Sequence, residues 1–191
     1  MKDTQVNGPL TLKMDLLVGV WEGSVIDIET TGLNSTINEI VTFGFIEDNK
    51  LEIIQRTSKE KVSFYKELKE VITNLKAPFY AYNGPFENRF IQDQLGISKK
   101  VVDVFAPWRN MAASQGQKWP KLDDLVSEPE IYLGMPRITG RECPILWKNY
   151  LQTKDRDLLT PIMEHNKSDI LRTLFLLIQY PKLYEKTGKL I

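Results

Sequence analysis

The decapeptide Ser24-Val25-Ile26-Asp27-Ile28-Glu29-Thr30-Thr31-Gly32-Leu33 carries the pattern that decides the fold. Its first half predicts a strand over Val25–Glu29. Because side chains alternate between the faces of a strand, the two acids share one face and the two isoleucines share the other. Neighbouring carboxylates repel each other and are costly to bury, so a divalent cation is the expected compensation. The alternative is a strand edge in water, where both acids are solvated.

The pattern outside this decapeptide predicts four further strands and two helices. Apolar runs predict strands over Ile40–Ile46, Leu51–Ile54, Phe79–Tyr82 and Val101–Phe105, and helical spacing of apolar residues predicts helices over 60–75 and Phe86–Leu95. The first three strands follow one another closely, which predicts an antiparallel meander. We therefore expect an α/β fold with a mixed five-stranded sheet, three antiparallel strands followed by parallel strands, flanked by helices.

A long helix is predicted near the end of the chain. Thr160 is suited to cap it, Pro161 to occupy its first turn and Pro181 to end it, which gives about twenty residues. His165 and Asp169 are one turn apart and therefore lie on one face. Such a pair is often structural, but His165 is the only histidine of the chain.

A third acidic segment is Ala81-Tyr82-Asn83-Gly84-Pro85-Phe86-Glu87, at the junction of a predicted strand and a predicted helix. Taken alone, it is compatible with an ordinary turn whose acid interacts favourably with the helix dipole.

The composition limits the class of protein. A chain of 191 residues with 42% hydrophobic content can bury one sizeable core, so we expect a single domain over 1–191 with its core at about 22–181. The only cysteine, Cys143, excludes an internal disulfide and a thiolate cluster, which leaves oxygen and histidine ligands for a metal. No apolar run is long enough to span a membrane and no secretory signal is recognisable, so we expect a cytoplasmic protein.

The charges balance, with 25 basic and 25 acidic residues. This balance disfavours a basic protein that coats DNA. It does not exclude an enzyme that binds a few nucleotides, because the affinity for phosphate depends on local charge.

The three acidic segments together resemble the motifs of the DEDD superfamily of 3'-5' exonucleases. Residues 27–33 resemble the first motif, residues 81–87 the second, and His165-Asn166-Lys167-Ser168-Asp169 the third. The chain departs from the superfamily at two points. Glu87 stands where the superfamily usually has aspartate, and the histidine precedes the last aspartate by four residues, where the main branch with histidine has five.

The four-residue spacing is similar to that of the YprB-like predicted exonucleases, whose third motif resembles His-Asn-x-x-Asp followed by an apolar helix. The region between the second and third motifs also resembles that group, through Leu122-Asp123-Asp124-Leu125, Tyr132-Leu133-Gly134, Arg137, Gly140, Pro144, Trp147 and Tyr150-Leu151.

The resemblance implies a ribonuclease H-like fold and a catalytic site made of Asp27, Glu29, Glu87, His165 and Asp169. The acids would hold two Mg2+ or Mn2+ ions about 3.5–4 Å apart, one activating water and the other stabilising the leaving 3' oxygen. Asp27, Glu29 and Asp169 would bind directly with Glu87 assisting, and His165 would take the proton from the attacking water. The expected reaction releases nucleoside monophosphates from the 3' end of single-stranded nucleic acid.

Further residues are implied around this site. The terminal nucleotide would contact Thr30, Thr31, Leu33 and Asn83. Asp103 is expected near the site but not as a metal ligand. Six basic residues are candidates for phosphate contacts, namely Arg109, Lys118, Lys121, Arg137, Arg141 and Lys148.

Two other functions fit the same residues. One is a nucleic-acid-binding domain that has kept the fold and lost turnover, which the glutamate at position 87 favours. The other is a phosphohydrolase of nucleotides or short oligonucleotides, which the neutral charge favours. A P-loop NTPase is unsupported, because the chain has no Gly-x-x-x-x-Gly-Lys segment.

Overall fold

The computed structural model describes residues 8–16, 22–126 and 138–184. Within these ranges the chain forms one six-stranded sheet with helices on both faces. The strands are β1 (Leu10–Asp15), β2 (Ser24–Thr30), β3 (Ile40–Glu47), β4 (Lys50–Gln55), β5 (Phe79–Ala81) and β6 (Val101–Asp103). The helices are α1 (Val62–Asn74), α2 (Gly84–Leu95), α3 (Ala106–Ser114), α4 (Leu122–Leu125), α5 (Cys143–Thr153), α6 (Thr160–Gln179) and α7 (Pro181–Tyr184), with a 3-10 turn at Arg156–Leu158.

The strand order in the sheet is β1-β4-β3-β2-β5-β6. Strands β1 to β4 pair in antiparallel fashion, whereas β2 pairs with β5, and β5 with β6, in parallel. The mixed α/β sheet is therefore confirmed, and β2 lies at the junction of its antiparallel and parallel halves.

The predicted number of five strands is wrong, because β1 adds a sixth. It pairs with β4 from Leu10 opposite Gln55 to Asp15 opposite Lys50. Leu10, Leu12 and Met14 are only partly buried against the core. An edge strand buries one face incompletely, so its short alternation is a weaker signal than the apolar runs of the central strands.

The core has two layers, one on each face of the sheet. Ile26 and Ile28 pack with side chains of α1 and α2, among them Phe64 and Phe90. Val25 packs on the opposite face, in the cluster that includes apolar residues of α6. The predicted alternation of β2 is thus confirmed, and the face that carries its acids is the face covered by α6.

Helix α6 has the predicted length of 20 residues, but Thr160 does not cap it. The cap position is Leu159, without a side-chain hydrogen bond, and its backbone is already helical. The preceding 3-10 turn delivers the chain in a helical conformation, so the extended residue that a threonine cap requires is missing. Although α6 is long, no helix in the described ranges is both long and apolar enough to cross a membrane.

Candidate active site

Three elements bring the predicted catalytic residues to one cavity. Asp27 and Glu29 come from β2, Glu87 from the first turn of α2, and His165 and Asp169 from α6. All five line a cavity of about 540 Å³. Residues separated by more than 130 positions in the chain therefore meet, as in the hydrogen bond from Asn166 to Asp27.

The parallel half of the sheet explains why Glu87 reaches this cavity. Strands β2 and β5 run in parallel, so their carboxyl ends meet at the same edge of the sheet. Helix α2 begins directly after β5 and packs against β6. At Gly84, a Cβ atom would lie 3.0 Å from the Cα atom of Asp103, so the glycine permits this close approach.

Asn166 holds Asp27 from the side of α6. Its Nδ2 donates a hydrogen bond to Asp27 Oδ2 at 2.7 Å, and the asparagine is fully buried. Gly44 lies opposite Asp27 in the register of β2 and β3. A Cβ atom at Gly44 would lie 2.0 Å from Asn166 Oδ1, so the glycine makes room for the asparagine. The local sequence pattern predicts no role for Asn166, and the glycine inside a predicted strand, Gly44, is the signal of close packing that it does contain.

His165 lies between two acids. Its Nε2 is 3.8 Å from Glu29 Oε1 and 3.7 Å from Asp169 Oδ2. These distances are longer than a hydrogen bond, so the ring faces both carboxylates without being bound to either. Gly140 passes close to the same nitrogen, since a Cβ atom there would lie 3.4 Å from it.

The acids perturb one another strongly. Burial raises the pKa of Asp27 well above its ordinary value, and the charges of Glu29, Asp169 and Glu87 raise it further. Burial and Asp169 likewise raise the pKa of Glu29. Burial, followed by Asp103 and Asp169, raises the pKa of Glu87 to about 8. The cluster therefore needs protons or a cation to be stable in the fold.

The donor atoms fit a hard divalent cation. The Oε2 atom of Glu87 is buried and has no hydrogen-bond partner within the described part of the chain. An unpaired buried carboxylate oxygen is costly unless a cation or a proton satisfies it. The converging carboxylates are oxygen ligands of the kind that Mg2+ and Mn2+ prefer.

Cys143 is a neighbour of the site that the sequence analysis did not assign to it. Ligand atoms of Glu29, Cys143 and His165 lie within 4.8 Å of one another. Burial raises the pKa of the Cys143 thiol, and the charge of Glu29 raises it further. The thiol is therefore protonated at neutral pH and is a weaker metal ligand than the carboxylates. A lone cysteine carries no sequence signal that would have placed it here.

Three of the four residues predicted to contact the terminal nucleotide line the cavity. Thr30, Leu33 and Asn83 line the cavity, and Leu33 is 81% exposed. Thr31 does not line this cavity but a neighbouring groove, and its Oγ1 accepts a hydrogen bond from the backbone N–H of Glu39 at 2.9 Å. The side chain of Thr31 helps to close the turn after β2, and its contact with the terminal nucleotide stays a prediction.

The basic candidates differ in position. Arg141 lines the cavity, and Lys148 lines a neighbouring groove. Arg109 pairs with Asp103 at 2.9 Å, and Asp103 is not among the residues that line the cavity. Lys118 and Lys121 are exposed. Arg137 and the segment Tyr132-Leu133-Gly134 lie outside the described residues.

Helix α4, which is the segment 122–125, contacts the site through the side chain of Asp123. Asp123 accepts a hydrogen bond from Nη1 of the buried Arg172, which lies one turn beyond Asp169 on α6. The same nitrogen is 3.7 Å from Asp169 Oδ1. The guanidinium group thus lies between an exposed acid of α4 and an acid of the cavity.

A family model described as RNase_H_2, RNase_H superfamily, matches residues 25–180 of this chain. The match includes all five predicted catalytic residues. No curated protein matches the sequence.

Two solved structures are similar to this chain. The family B DNA polymerase from the hyperthermophilic archaeon Pyrobaculum calidifontis has a TM-score of 0.61 at 14% identity, over 85% of this chain and 25% of the polymerase chain. This chain therefore spans about a quarter of that polymerase. Brucella melitensis NrnC bound to pGG has a TM-score of 0.41 at 14% identity, over 87% of this chain and 86% of that chain. At 14% identity the similarity to the polymerase concerns the fold alone.

Proposed function

The chain belongs to the RNase_H superfamily, and we propose on that basis that it is a metal-dependent nuclease, specifically a 3'-5' exonuclease. Its substrate is the phosphodiester bond at a single-stranded 3' end, and its product is a nucleoside monophosphate. The kinship to the YprB-like group remains part of this proposal.

One observation carries the proposal. Four buried or half-buried carboxylates and the only histidine converge from β2, α2 and α6 on one cavity, although burial and mutual repulsion oppose this arrangement. A fold does not retain repelling buried acids for stability, because apolar residues of similar size pack as well at lower cost. The cluster is explained if it binds divalent cations and the phosphate they neutralise.

The residues have distinct parts in this reaction. Asp27, Glu29 and Asp169 would hold Mg2+ or Mn2+, with Glu87 assisting through its unpaired oxygen. Bound cations supply Lewis-acid activation of water and stabilise charge on the leaving 3' oxygen. His165 takes the proton of the attacking water at Nε2, the atom that faces the cavity acids. Asn166 keeps the carboxylate of Asp27 in position.

The shape of the cavity supports an end-specific enzyme. Its volume lies within the range of about 300–1,000 Å³ that is usual for small-ligand pockets. Such a pocket accepts a terminal nucleotide rather than the middle of a duplex. Thr30, Leu33 and Asn83 would contact that nucleotide.

The test is a nuclease assay with matched 5'-labelled and 3'-labelled single strands, with Mn2+ and with a chelator. We expect a ladder of shortened products from the 5'-labelled strand and a labelled mononucleotide from the 3'-labelled strand, both only with Mn2+. The reverse pattern would contradict the direction, and activity with the chelator would contradict the role of the metal.

The size of the cavity also favours a second candidate, a phosphohydrolase restricted to dinucleotides or other short oligonucleotides. Comparing the hydrolysis of two-nucleotide and ten-nucleotide strands distinguishes this phosphohydrolase from the exonuclease. Turnover confined to the shorter substrate would favour this second candidate.

A further inference from the structure

A ladder of aromatic rings leads from the cavity to the surface. Tyr82 lines the cavity, and its ring centroid is 4.9 Å from that of Phe105. The ring of Phe105 meets Trp119 edge-on, at 6.1 Å between centroids. Trp119 is 57% exposed. The ladder therefore ends in a large aromatic side chain open to solvent.

Arg109 is fixed beside the outer rings of the ladder. Its guanidinium carbon lies 5.5 Å from the ring centre of Phe105 and 5.7 Å from that of Trp119. Its Nη2 donates to Asp103 Oδ2 at 2.9 Å. An arginine held between two rings and a carboxylate is positioned in advance, so little side-chain entropy is lost when it meets an anion.

The segment that presents Trp119 is anchored and carries further positive charge. The hydroxyl of Tyr82 donates to the backbone carbonyl of Pro120 at 3.1 Å. Lys118 and Lys121 flank Trp119 and are exposed. The nearby Asp124 accepts a hydrogen bond from the backbone N–H of Lys121 at 2.7 Å, which assigns this acid to the start of α4.

We infer that this ladder is the path along which a single-stranded nucleic acid leaves the cavity, with one base stacked on Trp119 and phosphates near Arg109, Lys118 and Lys121. The inference rests on the proposed function and names where that substrate runs. Exposed aromatic rings beside basic groups are how proteins bind single strands without reading sequence, because every base has a face that stacks. Tyr82 lines the cavity and contacts the buried ring of Phe105, on which Trp119 packs, so this surface is connected to the cavity that would hold the 3' end.

The test is the affinity for 5'-labelled single strands of two and of ten nucleotides, measured by fluorescence anisotropy. The full-length Asp27→Asn protein serves as the parent, so that hydrolysis does not consume the probe. We expect the parent to bind the ten-nucleotide strand more tightly. Adding Trp119→Ala should weaken that binding about 5- to 150-fold, which corresponds to the stacking free energy of one base. Trp119→Phe, which keeps a stacking face, should recover most of the loss.

Controls separate stacking, charge and folding. Val62→Ala, at an exposed apolar position on α1, should leave the affinity unchanged. Replacing Lys118 and Lys121 by glutamine should reduce the slope of log affinity against log salt by about 1.4, or about 0.7 for each phosphate contact. Melting temperatures near that of the parent would confirm that the variants fold.

The outcomes distinguish this inference from the proposed function. Equal affinity of the Trp119→Ala protein and its parent would overturn the inference, even if wild type is an active nuclease. The exposed ring would then be attributed to the binding of a protein partner. A parent that binds both strand lengths equally would also overturn it. Loss of affinity in the Trp119→Ala protein, together with a wild type that never hydrolyses, would support the path and contradict the nuclease.

Discussion

Asp27 is the residue on which the proposed cation site depends most directly. Burial raises its pKa, so the ionised carboxylate is costly without a cation. We expect Asp27→Asn to abolish Mn2+-dependent hydrolysis while the melting temperature of the metal-free protein stays equal or rises. Activity and thermal unfolding, both measured on purified protein, check this.

The matched control is Asp15→Asn, the same change at an exposed position of β1. It should alter neither quantity. Wild-type turnover in a folded Asp27→Asn protein would show that the metal assignment is wrong.

Substitution of His165 tests the proposed acid–base role of this residue separately from metal binding. Its Nε2 is more than 3.5 Å from both neighbouring carboxylates, and the proposed mechanism makes it a proton acceptor rather than a metal ligand. We expect His165→Ala to lower kcat about 10²- to 10⁴-fold, the usual contribution of a positioned acid–base group. The rise of melting temperature with Mn2+ should persist, and its disappearance would make His165 a ligand.

Substitutions of Glu87 distinguish an active enzyme from a nucleic-acid-binding domain that has lost turnover. The carboxylate of glutamate reaches about one bond length further than that of the aspartate usual at this position. One more side-chain torsion angle must also be fixed when it binds. If its unpaired oxygen serves a cation, Glu87→Gln removes the charge and Glu87→Asp falls short, so both should lower Mn2+-dependent activity. The three proteins are compared in one assay. An inactive wild type that Glu87→Asp activates would favour the domain without turnover.

At the scale of elements, the contact between α6 and β3 determines whether the site forms. A Cβ atom at Gly44 would lie 2.0 Å from Asn166 Oδ1 and 2.3 Å from Ile170 Cδ1. Gly44→Ala should therefore displace α6, weaken the Asn166 contact to Asp27 and destabilise the fold by about 1–3 kcal/mol, as overpacking does. Chemical denaturation and kcat measure the two effects.

Gly8→Ala is the control for that substitution, since a Cβ atom there would meet no atom of the described residues within 4 Å. It should leave stability and kcat unchanged. A Gly44→Ala protein with full stability and activity would show that the helix does not need this close approach.

At the scale of the whole molecule, the buried acids link folding to pH and to cations. The pKa of Glu87 rises from 4.5 to about 8, so between these values the folded state holds a proton that the unfolded state has released. The free energy of unfolding of the metal-free protein should therefore fall as pH rises through this window. Asp27 and Glu29, whose pKa values are also raised, act in the same direction.

A cation that replaces these protons binds better as they leave. The increase in melting temperature caused by Mn2+ should accordingly be larger near pH 8 than near about pH 5.5. Thermal unfolding at both pH values, with Mn2+ and with a chelator, measures it. Equal increases at the two pH values would contradict the linkage between the acids and the cation.

Local periodicity was enough to predict the central strands and the long helix α6. The alternation in β2 placed Asp27 and Glu29 on one face, and the four-residue spacing placed His165 and Asp169 on one face of α6. These are properties of neighbours in the chain, which strand and helix geometry determine directly. The order of the acidic motifs then indicated that they form one site.

The tertiary structure alone decided which distant residues meet. The contact of Asn166 with Asp27, the position of Cys143 beside Glu29, and the exclusion of Thr31 from the cavity all depend on strand order and on how closely α6 approaches the sheet. The edge strand β1 was missed because its stability comes from pairing with β4, 35 to 45 residues away in the chain (Asp15 opposite Lys50, Leu10 opposite Gln55), rather than from its own short pattern. Pairing and packing between distant segments depend on the shape of both partners, and a local pattern describes only one of them.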